Sequence, residues 1–282
     1  MRPYIDWTFF FHSWKLNGKY PAIFDDPVKG EEARKIYEDA QQMLDLIVRE
    51  KWLHAKGVAG IYPANAIGDS VEIKTENGET IPFHFLRNQE EKESGYPNLC
   101  LSDFIAPKET QIQDYLGFFA VTAGLGIEKH IKSFEDDNDD YQAIMLKVMT
   151  DRLAEAFAEK LHEMVRKELW AYAADEDLPM DQVLREKYRG IRPAPGYPAC
   201  PEHSEKEKLF DLLQVPEKAG ITLTENFAMY PAASVCGYLL VHPDSQYFNV
   251  GRILPDQVTD YAERKGLSEE RVKVLLNVNL VE

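Results

Sequence analysis

Between Arg189 and Lys206 the chain reads Arg-Gly-Ile-Arg-Pro-Ala-Pro-Gly-Tyr-Pro-Ala-Cys-Pro-Glu-His-Ser-Glu-Lys, and no other stretch narrows the possible folds so much. Gly190, Pro193, Pro195, Gly196 and Pro198 forbid a regular helix or a central strand here. The run has to be a stiff, ordered loop, with φ fixed at each proline and Gly196 free to take φ > 0. It places the guanidinium of Arg192 and the phenol of Tyr197 close together on a backbone with little freedom. Such a loop suits a small, flat, anionic ligand.

With 282 residues the chain can bury a sizeable core without staples. Its 44% hydrophobic and 28% charged residues are ordinary for a soluble globular protein. No apolar run has the length of a membrane span, and the start, Met-Arg-Pro-Tyr-Ile-Asp-Trp, is not a signal peptide. Cys100, Cys200 and Cys236 show neither a disulfide framework nor paired zinc-ligand spacing, so no metal site and a reducing cytoplasm are expected. A net charge of −16 argues against nucleic acid and against anionic membranes as partners. Arg185, Lys187, Arg189 and Arg192 gather locally. They read either as cations at a helix end or as a basic rim for an acidic ligand or protein.

Periodicity predicts an amphipathic helix over 31–52 and a β-hairpin over 71–85 turning on Asn77-Gly78. Short apolar runs at 58–62 and 116–122 suit buried strands. After the acidic stretch Glu135–Asp140 comes the longest helical pattern, roughly Tyr141 to Tyr172, then a shorter helix from Asp181 ending near Gly190. Ser204-Glu-Lys-Glu207 fits a capping box that opens a helix through Leu213. Strands at 220–225 and 234–241 follow, and helices starting at Pro255 and Ser268 close the chain. Strands and helices do not alternate in a βαβ rhythm, so the fold class is α+β, one domain over residues 1–282 with an antiparallel or mixed sheet flanked by helices.

Several residue types invite chemistry. Asp6 sits in Tyr-Ile-Asp-Trp-Thr-Phe-Phe-Phe-His-Ser-Trp, too aromatic for a free tail, where a carboxylate serves as a cap or as a ligand group. Asp151 and Glu155, four apart, project from one helix face as solvated surface or as a site for a cation; Arg152 and Lys160 only partly soften their repulsion. Tyr247 and Phe248 pack, or offer an aromatic face and a hydroxyl. Cys200 with His203 is too little for zinc and reads as a buried or hydrogen-bonded loop thiol. Thr122-Ala-Gly-Leu-Gly126 is not a dinucleotide fingerprint, and neither G-x-S-x-G nor H-E-x-x-H occurs.

Arg192-x-x-x-Gly196-Tyr197-Pro198, inside Gly-Ile-Arg-Pro-Ala-Pro-Gly-Tyr-Pro-Ala-Cys-Pro-Glu-His, resembles the S-adenosylmethionine-binding signature of the reactivation domain of cobalamin-dependent methionine synthase. Similar stretches run nearly end to end: Asp6-Trp7, Gly18-Lys19-Tyr20-Pro21, Pro63-Ala64-Asn65, Asp103 to Lys108, Asp151 to Glu159 and His242-Pro243-Asp244-Ser245. The resemblance implies an elongated, C-shaped single domain. It implies that Arg192 takes the ligand carboxylate and Asp6 the ammonium. Ala194, Gly196, Tyr197, Tyr247 and Phe248 complete the binding set, with the amides of Ala194 and Gly196 as the usable donors. Phe248 stands where relatives carry Tyr, which removes a hydroxyl. Glu155 and Asp151 are expected near the sulfonium, and Tyr197 facing the corrin as well.

The implied chemistry is reductive methylation of cobalamin, with an electron from flavodoxin or an equivalent reductase. The cobalamin is bound by a partner domain, since the chain lacks the D-x-H-x-x-G signature. Its start reads as cut from a longer protein. The alternative is a stand-alone S-adenosylmethionine-binding or sensing subunit without catalysis of its own. A conventional methyltransferase would need a glycine loop after a first strand, which is absent.

Overall fold

The computed structural model describes residues 1–93 and 95–280. The aromatic start folds as α1 (Trp7–Ser13), and the predicted amphipathic helix is α2 (Gly30–Glu50), which buries Ala33, Ile36, Ala40, Met43, Leu44 and Ile47. Strands β1 (His54–Ile67), β2 (Ser70–Lys74), β3 (Thr80–His84) and β4 (Asp114–Leu125) follow. The predicted hairpin is the β2–β3 pair, and β1 and β4 extend well past the apolar runs that announced them. Next come α3 (Ile127–Asp136) and the long α4 (Asp140–Met164). The rest comprises α5 (Met180–Val183), α6 (Glu205–Leu213), α7 (Val215–Ala219), the short pair β5 (Thr222–Leu223) and β6 (Met229–Tyr230), β7 (Ser234–Leu239), α8 (Pro255–Lys265) and α9 (Glu269–Leu275).

Five strands form one antiparallel sheet in the order β3-β2-β1-β4-β7. At its centre β4 is buried on both faces, which explains an unbroken apolar run where a one-sided strand would alternate. Phe118 and Ala120 pack with Leu209, Phe210 and Leu213 of α6. Phe119 and Val121 turn the other way, onto Ala158, Leu161 and Val165 at the end of α4. Helices therefore cover both faces, and α4 lies against β4 and β7.

Three local expectations need correction. The long helix does not run regularly to Tyr172: after Met164 it widens into one π turn, Val165–Leu169, and the Trp170 and Ala171 amides both donate to the Val165 carbonyl. The helix from Asp181 is a single turn rather than one reaching Gly190, because Glu186 takes the left-handed conformation (φ 54°) and turns the chain away. The capping box at Ser204 does not form. Ser204 has helical angles, and its hydroxyl donates to Glu202 Oε2 (2.8 Å) while accepting from Lys265 Nζ (2.6 Å).

The proline-rich loop lies along β7. Ile191 exchanges two backbone hydrogen bonds with Leu240 (2.9 and 3.0 Å), and the Tyr238 amide donates to the Pro193 carbonyl (2.9 Å). Such closeness requires a glycine opposite: a Cβ on Gly237 would stand 2.5 Å from the Pro193 carbonyl oxygen. The Pro198 carbonyl accepts from Val250 (2.8 Å), so the loop also ties down the segment carrying Tyr247 and Phe248.

Candidate functional site

A cavity of about 570 Å³ opens where this loop, α4, the N-terminal segment and the sheet meet. Helix α4 contributes Arg152, Glu155 and Glu159, spaced three and four apart and hence on one face. Tyr4, Asp6 and Phe9 come from the chain start, Leu184 to Glu186 from the turn after α5, and Arg192 to Ala194 and Tyr197 to Ala199 from the loop. Phe119 and Val235 form the floor from the sheet, and Tyr247 with Phe248 closes one side.

Of the residues predicted to act together, Asp6, Glu155, Arg192, Ala194, Tyr197, Tyr247 and Phe248 line this one cavity. Asp151 does not: it is exposed and pairs with the neighbouring Arg152. Gly196 is also outside the wall, and its amide is no free donor, because it donates to the Cys200 carbonyl (2.8 Å). Its part is conformational: φ is 100°, and a Cβ would stand 2.1 Å from His203 Cε1. The Ala194 amide makes no hydrogen bond within the described residues. Cys200 is the hydrogen-bonded loop thiol, donating to the Ala194 carbonyl (3.0 Å). Asp6 caps α1, its Oδ1 accepting from the Thr8 and Phe9 amides (2.8 and 3.3 Å), and it also lines the cavity.

Arg192 is held from behind. Its Nη1 lies 2.8 Å from Glu159 Oε2 and donates to the Tyr188 hydroxyl, which itself donates to the same Glu159 oxygen (3.1 Å). Nη2 approaches Glu186 at 3.7 Å, and neither Nε nor Nη2 makes a hydrogen bond within the described residues. The Nε–Nη2 edge of the fork is thus open to pair with a carboxylate. The Arg192 amide donates to the Tyr247 hydroxyl (3.1 Å), which fixes that phenol at the rim. The cations of residues 185–192, read either as a helix end or as a basic rim, do not share one role. Arg192 points inward, Arg189 donates to the Val241 carbonyl and lies over Tyr172 while staying exposed, and Arg185 and Lys187 are exposed as well.

Burial raises the Glu155 carboxyl above the ordinary range, with Arg152 and Arg192 pulling it back. Glu159 is likewise raised by burial and restrained by Arg192 and Arg166. The Tyr247 phenol is pushed up to about 12, chiefly by burial, so it stays neutral and can donate or accept. Four carboxylates (Asp6, Glu155, Glu159, Glu186) and three guanidiniums (Arg152, Arg185, Arg192) line the cavity, leaving one negative charge in excess.

Sequence reasoning missed Glu159, Tyr188 and Glu186, which set the state of Arg192. Glu159 was within reach, since Glu155 and Glu159 repeat the four-residue spacing noted for Asp151 and Glu155. Tyr188 and Glu186 carried no such signal, because the break at Glu186 that turns them toward α4 is invisible in a helical pattern.

No group of three or more His, Cys, Asp or Glu among the described residues is placed to hold a metal, and no described helix is long and apolar enough to cross a membrane. Among solved structures, the chain is similar to a crystal structure of the MetH reactivation domain bound to AdoHcy. The identity is 51% and the TM-score 0.96, over 100% of this chain and 87% of that one. Residues 1–266 match the family described as vitamin B12 dependent methionine synthase, activation domain. With the family model and the fold in agreement over almost the whole length, the chain belongs to the activation-domain family of vitamin B12-dependent methionine synthase.

Proposed function

We propose that the cavity binds S-adenosylmethionine and that the domain presents its methyl group to reduced cobalamin held by another domain, returning an inactivated B12-dependent methionine synthase to its cycle in methionine biosynthesis. The observation that carries this reading is the charge set. S-adenosylmethionine has an ammonium, a carboxylate and a sulfonium, one positive charge in sum, and the lining has one negative charge in excess. The open edge of Arg192 suits the carboxylate, Asp6 the ammonium, and Glu155 the sulfonium. Tyr197, more than half exposed at the mouth, and Phe248 offer faces for adenine or a corrin. The AdoHcy named in the similar structure is the demethylated form of this ligand.

Cobalamin supplies the nucleophile and S-adenosylmethionine a methyl on a good leaving group, so little acid–base chemistry is asked of the chain. Its residues orient the ligand, hold a negative field near the sulfonium and exclude water. Asp151, outside the wall, acts at most through Arg152. In this reading the domain has no turnover without the cobalamin domain, receives its electron through flavodoxin or an equivalent reductase, and works in the cytoplasm, which suits three unpaired buried cysteines.

Calorimetric titration with S-adenosylmethionine tests the reading. Saturable one-to-one binding is expected, weakened roughly 10- to 100-fold by Arg192→Ala through loss of a charged hydrogen-bond pair. A folded wild-type chain that takes up no ligand would refute it.

A further inference from the structure

Behind the Arg192 wall lies a second guanidinium that does not reach the cavity. Arg166 is wholly buried on the wide turn that ends α4. It grips Glu176 with two nitrogens, Nε to Oε2 at 2.9 Å and Nη2 to Oε1 at 2.8 Å. Its guanidinium carbon stands 3.7 Å from the centre of the Tyr188 ring, whose hydroxyl bridges Glu159 and Arg192. Among the described residues the remaining nitrogen, Nη1, is buried without a hydrogen bond, and so is the oxygen it faces, Glu159 Oε1, 3.8 Å away. Buried orphans are rare, and two of opposite charge facing each other call for an explanation.

Glu159 is one carboxylate between two guanidiniums, with Oε2 toward Arg192 and Oε1 toward Arg166. We propose that Arg166 is a positioning residue for recognition of the ligand's amino-acid end: by holding the far side of Glu159 and the Tyr188 ring, it leaves Glu159 only one oxygen for Arg192 and keeps the Nε–Nη2 edge directed at the cavity. The inference rests on the reading that Arg192 binds the carboxylate of S-adenosylmethionine or its product. Without Arg166, two-pronged pairing of Glu159 with Arg192 becomes the favoured geometry, and the edge meant for ligand is drawn away. His162, also packed beside Tyr188, offers no replacement charge, because burial and the two arginines hold it neutral.

The test compares two ligands that differ only at the amino-acid end. S-adenosylhomocysteine carries it; 5′-methylthioadenosine keeps the nucleoside and thioether without it. Arg166→Met is combined with Glu176→Gln, so that no lone charge is stranded in the interior. The double variant is expected to unfold cooperatively and to bind S-adenosylhomocysteine about tenfold more weakly, with methylthioadenosine unchanged to within about twofold. Equal weakening of both ligands would reduce Arg166 to general structural support, and no weakening of either would also overturn the proposal. If the double variant does not fold, Arg166→Lys, which keeps the charge but not the fork, is judged by the same ligand contrast. A wild-type chain that binds neither ligand sinks the reading beneath the proposal, an outcome distinct from unchanged variants.

Discussion

Replacing Gly196 by alanine tests how the loop is held, and its size follows from the geometry. The backbone there has φ of 100°, where an L side chain costs about 1–2 kcal/mol. The new Cβ would also stand 2.1 Å from His203 Cε1, with Nδ1 at 2.8 Å and Nε2 at 2.9 Å. His203 is exposed, so its ring can swing outward, but only by giving up a tether. Its Nδ1 is hydrogen-bonded to Lys206 Nζ (2.9 Å), and that ammonium donates in turn to the Phe227 carbonyl (3.0 Å). Relieving the overpacking at the expense of that bond adds about 1 kcal/mol, for a total of roughly 2–3 kcal/mol. In a chain of this size that lowers the melting temperature by roughly 4–12 °C. Thermal unfolding followed by circular dichroism reads the loss, and titration with S-adenosylmethionine reads the displacement of Ala194 and Tyr197. Adding His203→Ala should recover the overpacking part and leave the backbone part. A Gly196→Ala protein within about 0.5 kcal/mol of wild type would refute the whole argument, and a double variant no better than the single would refute the role of His203.

Three further outcomes follow from other contacts. Asp6→Asn keeps the cap on α1 but removes the charge, so it should weaken ligand binding at unchanged stability, whereas Asp6→Ala should in addition lose about 1 kcal/mol in a denaturant titration. His84 is pushed down to about 3 by burial, aided by Lys208, Arg264 and Lys265, so the folded chain refuses a proton that the unfolded chain accepts near 6.5. Stability should therefore fall as pH drops from 6.5 toward 3, and His84→Gln, measured beside wild type at pH 7 and pH 4, should show less of that fall. Lys265 joins buried Glu202 (2.9 Å) and Glu205 (2.7 Å), and Lys265→Met, by leaving Glu202 without its cation while Glu205 keeps Lys208 (3.3 Å), should cost about 3 kcal/mol in urea.

The sheet and the long helices were legible because their signals are local: the 3.6-residue spacing of Ala33, Ile36, Ala40 and Met43 and the Asn-Gly turn between β2 and β3 each need only a short window. Helix ends were misjudged where tertiary contacts intervene. Ser204 has the chemistry of a cap, yet Lys265, far along the chain, draws its hydroxyl into an ion cluster. The cavity-lining loop was recognisable from its prolines and glycines, and most of the cavity-facing set from resemblance to the family. What stayed hidden is the support behind it. Glu159, Arg166 and Tyr188 read as ordinary helix and turn residues, and only the π turn and the left-handed Glu186 bring them together behind Arg192.

The seating of the loop along β7 has a consequence for the chain's behaviour in a crowded solution. The outermost strand of a sheet offers unpaired amides and carbonyls on which another chain can build. Here that berth is occupied by Ile191 and Pro193, and the run continues through Pro195 and Pro198, none of whose ring nitrogens can donate to a newcomer. The segment that lines the cavity therefore also blunts the sheet margin against self-association. Substitutions that loosen it should show first as clumping of the protein at high concentration, and a ligand that seats it should act as a solubiliser.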